Sequence, residues 1–466
     1  MVKVKGDMSE AREKVLCFGE GNFLRAFCAV VVQRMNENAD FHGKMILVQG
    51  LEKGNGDLIN SQNGKYTVLE KGYQNNAPTE KFLNIDCVSR CVNPYRDYEE
   101  FLAIAENPEL VFVVSNTTEF GICFDESETA GKSVYKNFPA KLTDFLLRRY
   151  RFFQGDPKAG LVILPCELIE KNGQKLKSLI VKYAEYWGEE AGFIQWINQS
   201  NVFADTLVDR IVSGFPKTGA ESLWKQIGRV DPLLDICEPF FLWVIEADRK
   251  KLAHIPLTKS GLNIVITKNI LPYRERKVRI LNGAHTMSAL LGHLAGMETV
   301  EQMLKDKDFG AFVETGIRKE IIPSFDCDDL EAYADSVIER FLNPFLNHKL
   351  LDIALNSVSK WRTRDLCSLK DYVARYKTLP QALCLSLAGL IAFYKKGVNS
   401  FVRDDPGIVS FIAEHDVNEI IKSERLWGED LNLIAPDFRS LIERDFELIM
   451  QNGARAAIRE VMDAGA

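Results

Sequence analysis

Lys277, Asn282 and His285 are the residues of this 466-residue sequence whose types and spacing best suit chemistry. They lie in a proline-free run of helix-forming residues, 273–294. On a regular helical wheel they fall at roughly 0°, 140° and 80°, so they share one side of one predicted helix. An amine, an amide and an imidazole on one face can transfer a proton and donate hydrogen bonds to a reacting oxygen. A solvated helix face has the same pattern, so spacing alone leaves both interpretations open.

Gly283 stands inside this predicted helix, directly after Asn282. Glycine in a helix interior costs about 1 kcal/mol relative to alanine. We therefore expect another group to approach the helix closely at this position. Which group approaches depends on the elements that pack around this helix.

A glycine turn near the N-terminus predicts a dinucleotide-binding unit. An apolar strand, residues 15–18, runs into Gly19 and Gly21, and a predicted helix and a second apolar strand follow. In such a βαβ unit the glycines let a pyrophosphate approach backbone N–H groups. The third glycine position of the usual motif holds Leu24, so an ordinary turn remains an alternative.

Polar residues also follow a third buried strand, residues 110–114, where ligands bind in parallel sheets. At the end of the second strand, Gln49 and Gly50 replace the acid that usually binds the ribose, and Glu52 comes shortly after. The sequence therefore leans towards NAD over NADP. The predicted cofactor-binding residues are Gly19, Glu20, Gly21, Asn22, Phe23, Arg25, Asn116 and Thr117.

The secondary-structure pattern of the sequence changes near residue 268, where strand-like runs give way to helical ones. A fourth buried strand, residues 161–164, precedes a polar segment, and residues 203–211 have the pattern of a loop or short helix. We predict an α/β Rossmann-type domain with a parallel-rich sheet over residues 1–267, and a mainly α-helical domain over residues 268–466. Ligand sites favour domain junctions, which supports a functional role for Lys277. Helices are predicted at residues 300–305, 330–341, 350–355, 382–394 and 445–462.

Composition excludes several classes of function. A net charge of −7 argues against a nucleic-acid partner. The ten cysteines contain no CxxC pair, which indicates reduced thiols in a cytoplasmic protein. The most apolar segment, residues 378–394, reads as a buried core helix, so no membrane partner is expected. The six histidines form no HxxxH or HxH pair, and we predict no metal site.

The residues assembled so far resemble the polyol-specific long-chain dehydrogenase/reductase family, which contains mannitol 2-dehydrogenase and the hexuronate reductases. The family signature Lys-x4-Asn-x2-His is complete at Lys277, Asn282 and His285. The hexuronate-reducing members that act on tagaturonate are the most similar branch. Further matching stretches are residues 18–27, 115–119, 164–168 with 172–173, 272–286, and 340–344 with 348 and 359–360.

The resemblance assigns a role to each side chain. It implies that Lys277 is the acid/base group and that Asn282 and Asn172 hydrogen-bond the substrate carbonyl oxygen. It implies that His285 contacts a substrate hydroxyl, and that Asp209 contacts substrate or orients the lysine. An alternative for Asp209 is a simple ion pair with Arg210 or another arginine.

The resemblance also implies an NAD-dependent enzyme that interconverts tagaturonate and altronate without a metal, with a sugar acid as its small-molecule partner. The substrate carboxylate calls for arginine or lysine. Among Arg340, Lys360, Arg362 and Arg364 we favour Lys360 and Arg364. Fructuronate reduction, oxidation of an uncharged polyol such as mannitol, and a non-catalytic NAD-binding sensor remain alternatives. The chain is expected to be a monomer or a small homo-oligomer.

Overall fold

The structure is a computed structural model, and it describes residues 11–74, 77–117, 121–345, 348–397 and 400–464. The chain divides into two compact units, one ending at Ile270 and the other beginning at Leu271. The boundary predicted between residues 267 and 268 falls at the end of the last strand of the first unit. None of the helices formed by the described residues is long and apolar enough to cross a membrane.

The first unit is built on a parallel sheet of six strands in the order β5-β2-β1-β6-β7-β8. The strands of the whole first unit, in chain order, are β1 (Arg12–Phe18), β2 (Gly43–Val48), β3 (Tyr66–Gln74), β4 (Ala77–Ile85), β5 (Val88–Val92), β6 (Phe112–Ser115), β7 (Val162–Pro165), β8 (Val202–Phe203), β9 (Asp205–Asp209), β10 (Val212–Gly214), β11 (Asp235–Cys237), β12 (Leu242–Glu246) and β13 (Ile264–Thr267).

Helices cover both faces of this sheet. The helices of the first unit are α1 (Asn22–Ala26), α2 (Cys28–Ala39), α3 (Gly56–Ser61), α4 (Tyr98–Ala103), α5 (Phe138–Phe152), α6 (Asn172–Tyr186), α7 (Ala191–Ser200) and α8 (Ala220–Ile227). Short 3-10 turns occur at Ile104–Glu106, Pro157–Ala159, Arg249–Leu252 and Leu257–Lys259.

The strand order is that of a dinucleotide-binding Rossmann sheet, with the order reversing between β1 and β6. The four apolar residues 15–18 form the end of β1 and are buried on both faces of the sheet. Burial on both faces explains why they read as a continuous apolar run, without alternation. The predicted fold class is therefore confirmed for this unit.

Two smaller sheets were not predicted. The β3–β4 hairpin pairs through β3 with β11, and β11 pairs in turn with β10. Strands β9, β12 and β13 form a third sheet. Residues 205–209 are thus a strand, and the prediction of a loop or short helix there was wrong. Pairing with β12 supplies the backbone hydrogen bonds that favour the strand, and the local sequence contains no signal for that partner.

The second unit is helical. Its elements are α9 (Leu271–Arg276), α10 (Gly283–Leu294), α11 (Val300–Lys305), α12 (Lys307–Thr315), α13 (Ile322–Ser324), α14 (Leu330–Phe341), α15 (Leu350–Ile353), α16 (Ser357–Arg364), α17 (Leu366–Tyr376), α18 (Gln381–Gly397), α19 (Pro406–Glu414), α20 (Val417–Lys422), α21 (Glu424–Trp427), α22 (Phe438–Asn452) and α23 (Ala454–Ala464). Two π-helical turns, Lys277–Asn282 and Gly316–Ile321, and a 3-10 turn, Leu431–Leu433, complete it.

The predicted helices are present, with two corrections. The helix predicted over residues 350–355 ends at Ile353. The segment predicted as a single helix over residues 445–462 is broken at Gly453, where a positive φ of 86° ends α22. The apolar segment predicted as a core helix is α18, which is buried along nearly its whole length and packs against α10 and α22. Through that contact, α18 supports the helix that carries His285.

Candidate active site

The glycine turn lies at the point where the strand order of the parallel sheet reverses. Gly19 has a φ of 122°, which L side chains rarely adopt, and its N–H bonds to the Val48 carbonyl at 2.9 Å. A side chain at Gly21 would meet nothing within 4 Å, so the backbone there faces open space. The Asn116 N–H bonds to the Phe18 carbonyl at 3.3 Å, which brings the end of β6 beside the turn. This geometry suits the close approach of a pyrophosphate to backbone.

Leu24 takes the place of the missing third glycine. Its side chain is buried, and its Cδ1 lies 2.7 Å from where a Cβ on Gly19 would stand. Leu24 therefore fills the space beneath the turn that Gly19 leaves. Phe23 is half-buried and stacks on Phe27 at a ring distance of 4.9 Å, so its ring also supports the turn.

Arg25, a predicted cofactor-binding residue, points into the protein. Its guanidinium donates to the carbonyl oxygens of Glu20 and Leu233 and to Asn22 Oδ1, and it lies 3.5 Å from the Asp235 carboxylate. Arg25 is 2% exposed. Its observed role is to tie the turn to the rest of the unit, and its role towards a cofactor stays a prediction.

Glu167 is a site residue that the sequence did not single out. It accepts hydrogen bonds from Ser115 Oγ at 3.1 Å, from Thr117 N at 2.9 Å and from Thr117 Oγ1 at 3.1 Å. Burial raises the pKa of this carboxyl, and the bonds from Thr117 and Ser115 oppose that shift. Glu167 thus fixes the segment that carries Asn116. Thr117 uses both its N–H and its hydroxyl to bond Glu167. The role of Thr117 towards a cofactor stays a prediction.

The end of β2 is organised by polar side chains. Gln49 is buried and holds the following loop through the carbonyl oxygen of Glu52 and the N–H of Gly56. Glu20 reaches the same region, where its carboxylate accepts from Gly50 N at 3.1 Å. A carboxylate at this position suits a ribose hydroxyl and repels a phosphate.

Asn172 is enclosed by hydrogen bonds within the first unit. Its amide nitrogen donates to the carbonyl oxygens of Pro165, Glu167 and Thr206 at 2.9 to 3.1 Å. Its amide oxygen accepts from the N–H groups of Gly173 and Thr206. The side chain is 1% exposed. This arrangement joins β7 to β9 and supports a structural role, so the predicted contact with the substrate carbonyl stays a prediction.

Asp209 is the last residue of β9, where it pairs in register with Leu242 of β12, and it is 4% exposed. The neighbouring Arg210 forms an ion pair with Glu70 and donates to the Ala26 carbonyl. Arg210 is therefore engaged in holding β9 to other elements. The predicted role of Asp209 towards substrate or lysine stays a prediction.

In the second unit, the segment from Leu271 to Leu294, which we call the lysine helix, contains a π turn. Lys277 begins the turn, Asn282 ends it, and the Gly283 N–H bonds to the Val278 carbonyl five residues earlier. Residues five apart in a π turn lie about one turn apart, as residues four apart do in an α-helix. The wheel angle of Asn282 relative to Lys277 assumed a regular α-helix, and that assumption was wrong across this turn. Such turns are frequent at functional sites.

His285 stands in the first turn of α10 and is 5% exposed. Its ring stacks on Phe341 at 4.0 Å and meets the His348 ring edge-on at 4.9 Å. Within the described residues its Nε2 has no hydrogen-bond partner. Burial lowers the pKa of His285 well below its usual value, and His348 and three nearby cations lower it further. A neutral imidazole with a ring nitrogen to spare suits the hydroxyl group of a ligand.

The three cations near His285 include both predicted carboxylate-binding residues. They are Arg364, Arg340 and Lys360. Arg364 donates to Thr286 Oγ1 at 3.1 Å, and Lys360 donates to the Ile353 carbonyl at 2.9 Å. The structure thus brings Lys360 and Arg364 to the same histidine, one turn beyond the π turn. We call His285, His348, Arg340, Lys360 and Arg364 the cationic cluster.

His348 was present in a matching stretch of sequence but was given no role. Burial lowers its pKa, Asp352 opposes that shift and Lys360 adds to it. The backbone of His348 is held by the Val300 N–H at 3.0 Å. In the described part of the chain, no group of three or more His, Cys, Asp or Glu residues is arranged to hold a metal ion.

Comparison with known proteins identifies the family. Residues 13–259 match the mannitol dehydrogenase Rossmann domain, and residues 269–449 match the mannitol dehydrogenase C-terminal domain. The chain belongs to the mannitol dehydrogenase family. It is therefore an oxidoreductase that acts on CH–OH groups, as predicted.

Two relatives that match nearly the whole chain are altronate oxidoreductases. The chain is 39% identical to an altronate oxidoreductase of Bacillus subtilis (strain 168), over 91% of this chain and 90% of that protein. It is 37% identical to an altronate oxidoreductase of Phocaeicola vulgatus, over 97% of each chain. The predicted resemblance to this branch is confirmed.

Solved structures share the fold of this mannitol dehydrogenase family member. A D-sorbitol dehydrogenase in substrate-free form superposes with a TM-score of 0.82 at 21% identity, covering 97% of this chain and 96% of that one. A Pseudomonas fluorescens mannitol 2-dehydrogenase, solved with NAD and D-mannitol, superposes with a TM-score of 0.74 at 19% identity, covering 98% and 96%. At these identities the likeness is one of fold.

Proposed function

We propose that this chain is an NAD-dependent reductase that interconverts D-tagaturonate and D-altronate, with Lys277 as the acid/base group and no metal. The observation that carries the proposal is the π turn, which spans Lys277 to Asn282 and runs directly into α10, the helix that bears His285 of the cationic cluster. Near full-length identity of 37 to 39% with altronate oxidoreductases supports the same substrate.

The residues of the glycine turn fit a dinucleotide. Gly19 supplies the left-handed backbone, Gly21 leaves its backbone open, and both stand where the strand order reverses. The Glu20 carboxylate, which reaches Gly50 just after β2, favours NAD, because the 2′-phosphate of NADP would meet like charge there. When bound, NADH supplies a hydride to the carbonyl carbon of the substrate.

Proton transfer is assigned to Lys277. As hydride arrives at carbon, negative charge develops on the carbonyl oxygen, and the Lys277 ammonium donates its proton to that oxygen. In the reverse direction the neutral amine of Lys277 removes the hydroxyl proton of the alcohol. Asn282 donates a hydrogen bond to the same oxygen through its neutral amide, which stabilises the developing charge without competing for the proton.

The cationic cluster is assigned to the sugar acid. A hexuronate carries one carboxylate, and Arg364 and Lys360 supply the charges for it, with Arg340 close by. His285 is neutral, because burial and the neighbouring cations lower its pKa, and it is assigned to a substrate hydroxyl. An uncharged polyol gains little from three cations, so the cluster favours a sugar acid over mannitol.

Fructuronate is the strongest alternative substrate, because it carries the same carboxylate. We also place the protein in the cytoplasm, where its ten unpaired thiols stay reduced.

A substrate panel tests the activity. Oxidation of NADH is followed with tagaturonate, fructuronate and fructose as separate acceptors, and NADPH is compared with NADH. The proposal expects the highest kcat/KM with tagaturonate and NADH. Faster turnover of fructuronate would shift the assignment to that substrate, and preference for fructose would overturn the sugar-acid assignment. Binding of NAD without turnover of any acceptor would favour a sensor.

A paired substitution tests the role of the cationic cluster. Arg364→Gln should lower the ratio of kcat/KM for tagaturonate over fructose by about tenfold or more, since a charge-assisted hydrogen bond is lost. Arg362→Gln, two residues earlier on α16 and exposed, is the matched control and should leave the ratio unchanged. Equal effects of the two substitutions would remove Arg364 from the carboxylate site.

A further inference from the structure

A buried carboxyl group lies against the lysine helix and has no assigned role. Asp365 stands between α16 and α17 and is 0% exposed. Neither of its carboxyl oxygens has a hydrogen-bond partner among the residues that the structure describes. Burying a polar group in this way is costly, and natural proteins rarely do so without a reason.

Asp365 is the group that approaches Gly283. Its Oδ1 lies 2.8 Å from the position that a Cβ on Gly283 would occupy, which is closer than real Cβ contacts allow. Gly283 has an ordinary helical φ of −63°, so its backbone conformation does not require glycine. Glycine is required there because a side chain would occupy the space of the Asp365 carboxyl. The close approach expected from the sequence at Gly283 is therefore made by a neighbouring helix junction.

The preceding residue contacts the same helix one turn further on. Arg364 donates to Thr286 Oγ1 at 3.1 Å, and that hydroxyl bonds to the Asn282 carbonyl at 2.9 Å. Two consecutive residues, Arg364 and Asp365, thus contact residues 282–286 at two points. α16 also packs against both α10 and the π turn.

We propose that Asp365 is a positioning residue that holds the end of the π turn through its contact with Gly283, and so sets the placement of Asn282. The inference rests on the proposed function of Lys277 and Asn282. The π turn is a rare, single-turn departure from the α-helix, and we infer that a contact from outside the helix keeps it at one place. The Asp365 carboxyl fills the space beside Gly283 and prevents the helix from closing up or rotating there.

Gly283→Ala tests the contact by steric means. The new Cβ would clash with Asp365 Oδ1, and we expect kcat to fall about 10- to 100-fold, because displacement of about 1 Å at a catalytic group costs about that much. KM for NADH should change less than twofold. Gly292→Ala is the matched control on the same helix, since its Cβ would meet the ends of two apolar side chains, Met303 Sδ at 2.7 Å and Leu350 Cδ1 at 3.0 Å, and its kcat should stay unchanged.

Combined variants then identify Asp365 as the partner. Asp365→Ser alone should lower kcat, whereas Asp365→Asn, which keeps the shape, should retain kcat within about threefold. The double variant Gly283→Ala with Asp365→Ser should recover part of the activity that Gly283→Ala loses. Losses that add, with no recovery, would overturn the inference, as would a loss for Asp365→Ser in thermal stability alone with kcat intact.

The readouts separate this inference from the proposed function. The variants are assayed with tagaturonate or, if the wild-type enzyme does not reduce it, with whichever ketose it reduces. A crystal structure of Gly283→Ala gives a readout without activity and is expected to show Asn282 displaced. An unmoved Asn282 would overturn the positioning role even if the substrate assignment holds, and a displaced one would support it even if the substrate assignment fails.

Discussion

The glycine turn of the first unit and the lysine helix of the second use polar residues in opposite ways. Near the glycine turn, Arg25, Thr117 and Asn172 direct their polar atoms at other groups of their own unit. In the second unit, His285 Nε2 and both oxygens of Asp365 are buried without a partner among the described residues. The first region is a scaffold stabilised by its own hydrogen bonds and by the ion pair of Arg25 with the buried Asp235, and the cofactor contacts proposed for it are mainly backbone. The second retains polar capacity for a ligand or for positioning.

Lys277→Ala sharpens this comparison most strongly. Loss of a proton donor should lower kcat by about 10² to 10⁴, with little change in thermal stability, since the side chain is half-buried. Steady-state kinetics and thermal unfolding measure the two effects. Lys319→Ala is the matched control, because Lys319 is exposed on the other π turn of the same unit. Retention of wild-type kcat by Lys277→Ala would exclude the proposed mechanism.

Substitution of the two asparagines of the predicted carbonyl-binding pair should have different effects, on stability for Asn172 and on kcat for Asn282. Asn172→Ala leaves several buried partners unsatisfied and should lower the free energy of unfolding by about 3 kcal/mol or more. Asn282→Ala should leave stability nearly unchanged and lower kcat by about 10- to 100-fold. Denaturant unfolding measures the stability of both variants, and steady-state kinetics measures their kcat. If Asn172→Ala folds stably and loses only kcat, the distinction between the two regions is wrong at that residue.

Glu320 tests whether a buried polar group of the second unit has a purely structural role. On the second π turn, it accepts from the N–H groups of Ala382 and Leu383 at the start of α18, and burial raises its pKa to about 7. A raised pKa means that the folded state holds the proton more tightly than the unfolded state does. Stability is therefore full below the unfolded value near 4.3 and is lost as pH rises through about 7.

Glu320→Gln should abolish that pH dependence. Between about pH 5 and pH 8, the wild-type free energy of unfolding should fall by about 2 kcal/mol relative to the variant. Urea unfolding at both pH values measures the difference. Glu331→Gln, exposed and paired with Arg318, is the control and should show no such change. An identical pH dependence in wild type and Glu320→Gln would contradict the shifted pKa.

Gly21→Ala gives the smallest expected effect and tests the scaffold itself. Its new Cβ meets nothing within 4 Å, so stability should stay within about 0.5 kcal/mol. Affinity for NADH should fall about tenfold, since the methyl group would stand where the pyrophosphate approaches the backbone. Titration calorimetry with NADH gives the affinity. Unchanged affinity would remove Gly21 from the cofactor site.

The sequence by itself determined the parts of this protein that depend on local pattern. The continuous apolar residues 15–18 indicated a buried parallel strand, and the glycine turn after them indicated the Rossmann unit. Helical periodicity located α11 and α14 at their observed bounds. The signature Lys-x4-Asn-x2-His was readable because its three residues lie on one short segment.

Only the tertiary structure decided which groups meet across the chain. The strand at residues 205–209 depends on pairing with β12. The cationic cluster joins residues of the lysine helix, α14, α16 and the segment just before α15. The π turn was not readable either, because a single wider turn leaves no periodicity in the sequence. Gly283 shows the division most directly. Its type predicted a close approach, and the packing of α16 and α17 supplied the approaching group, the carboxyl of Asp365.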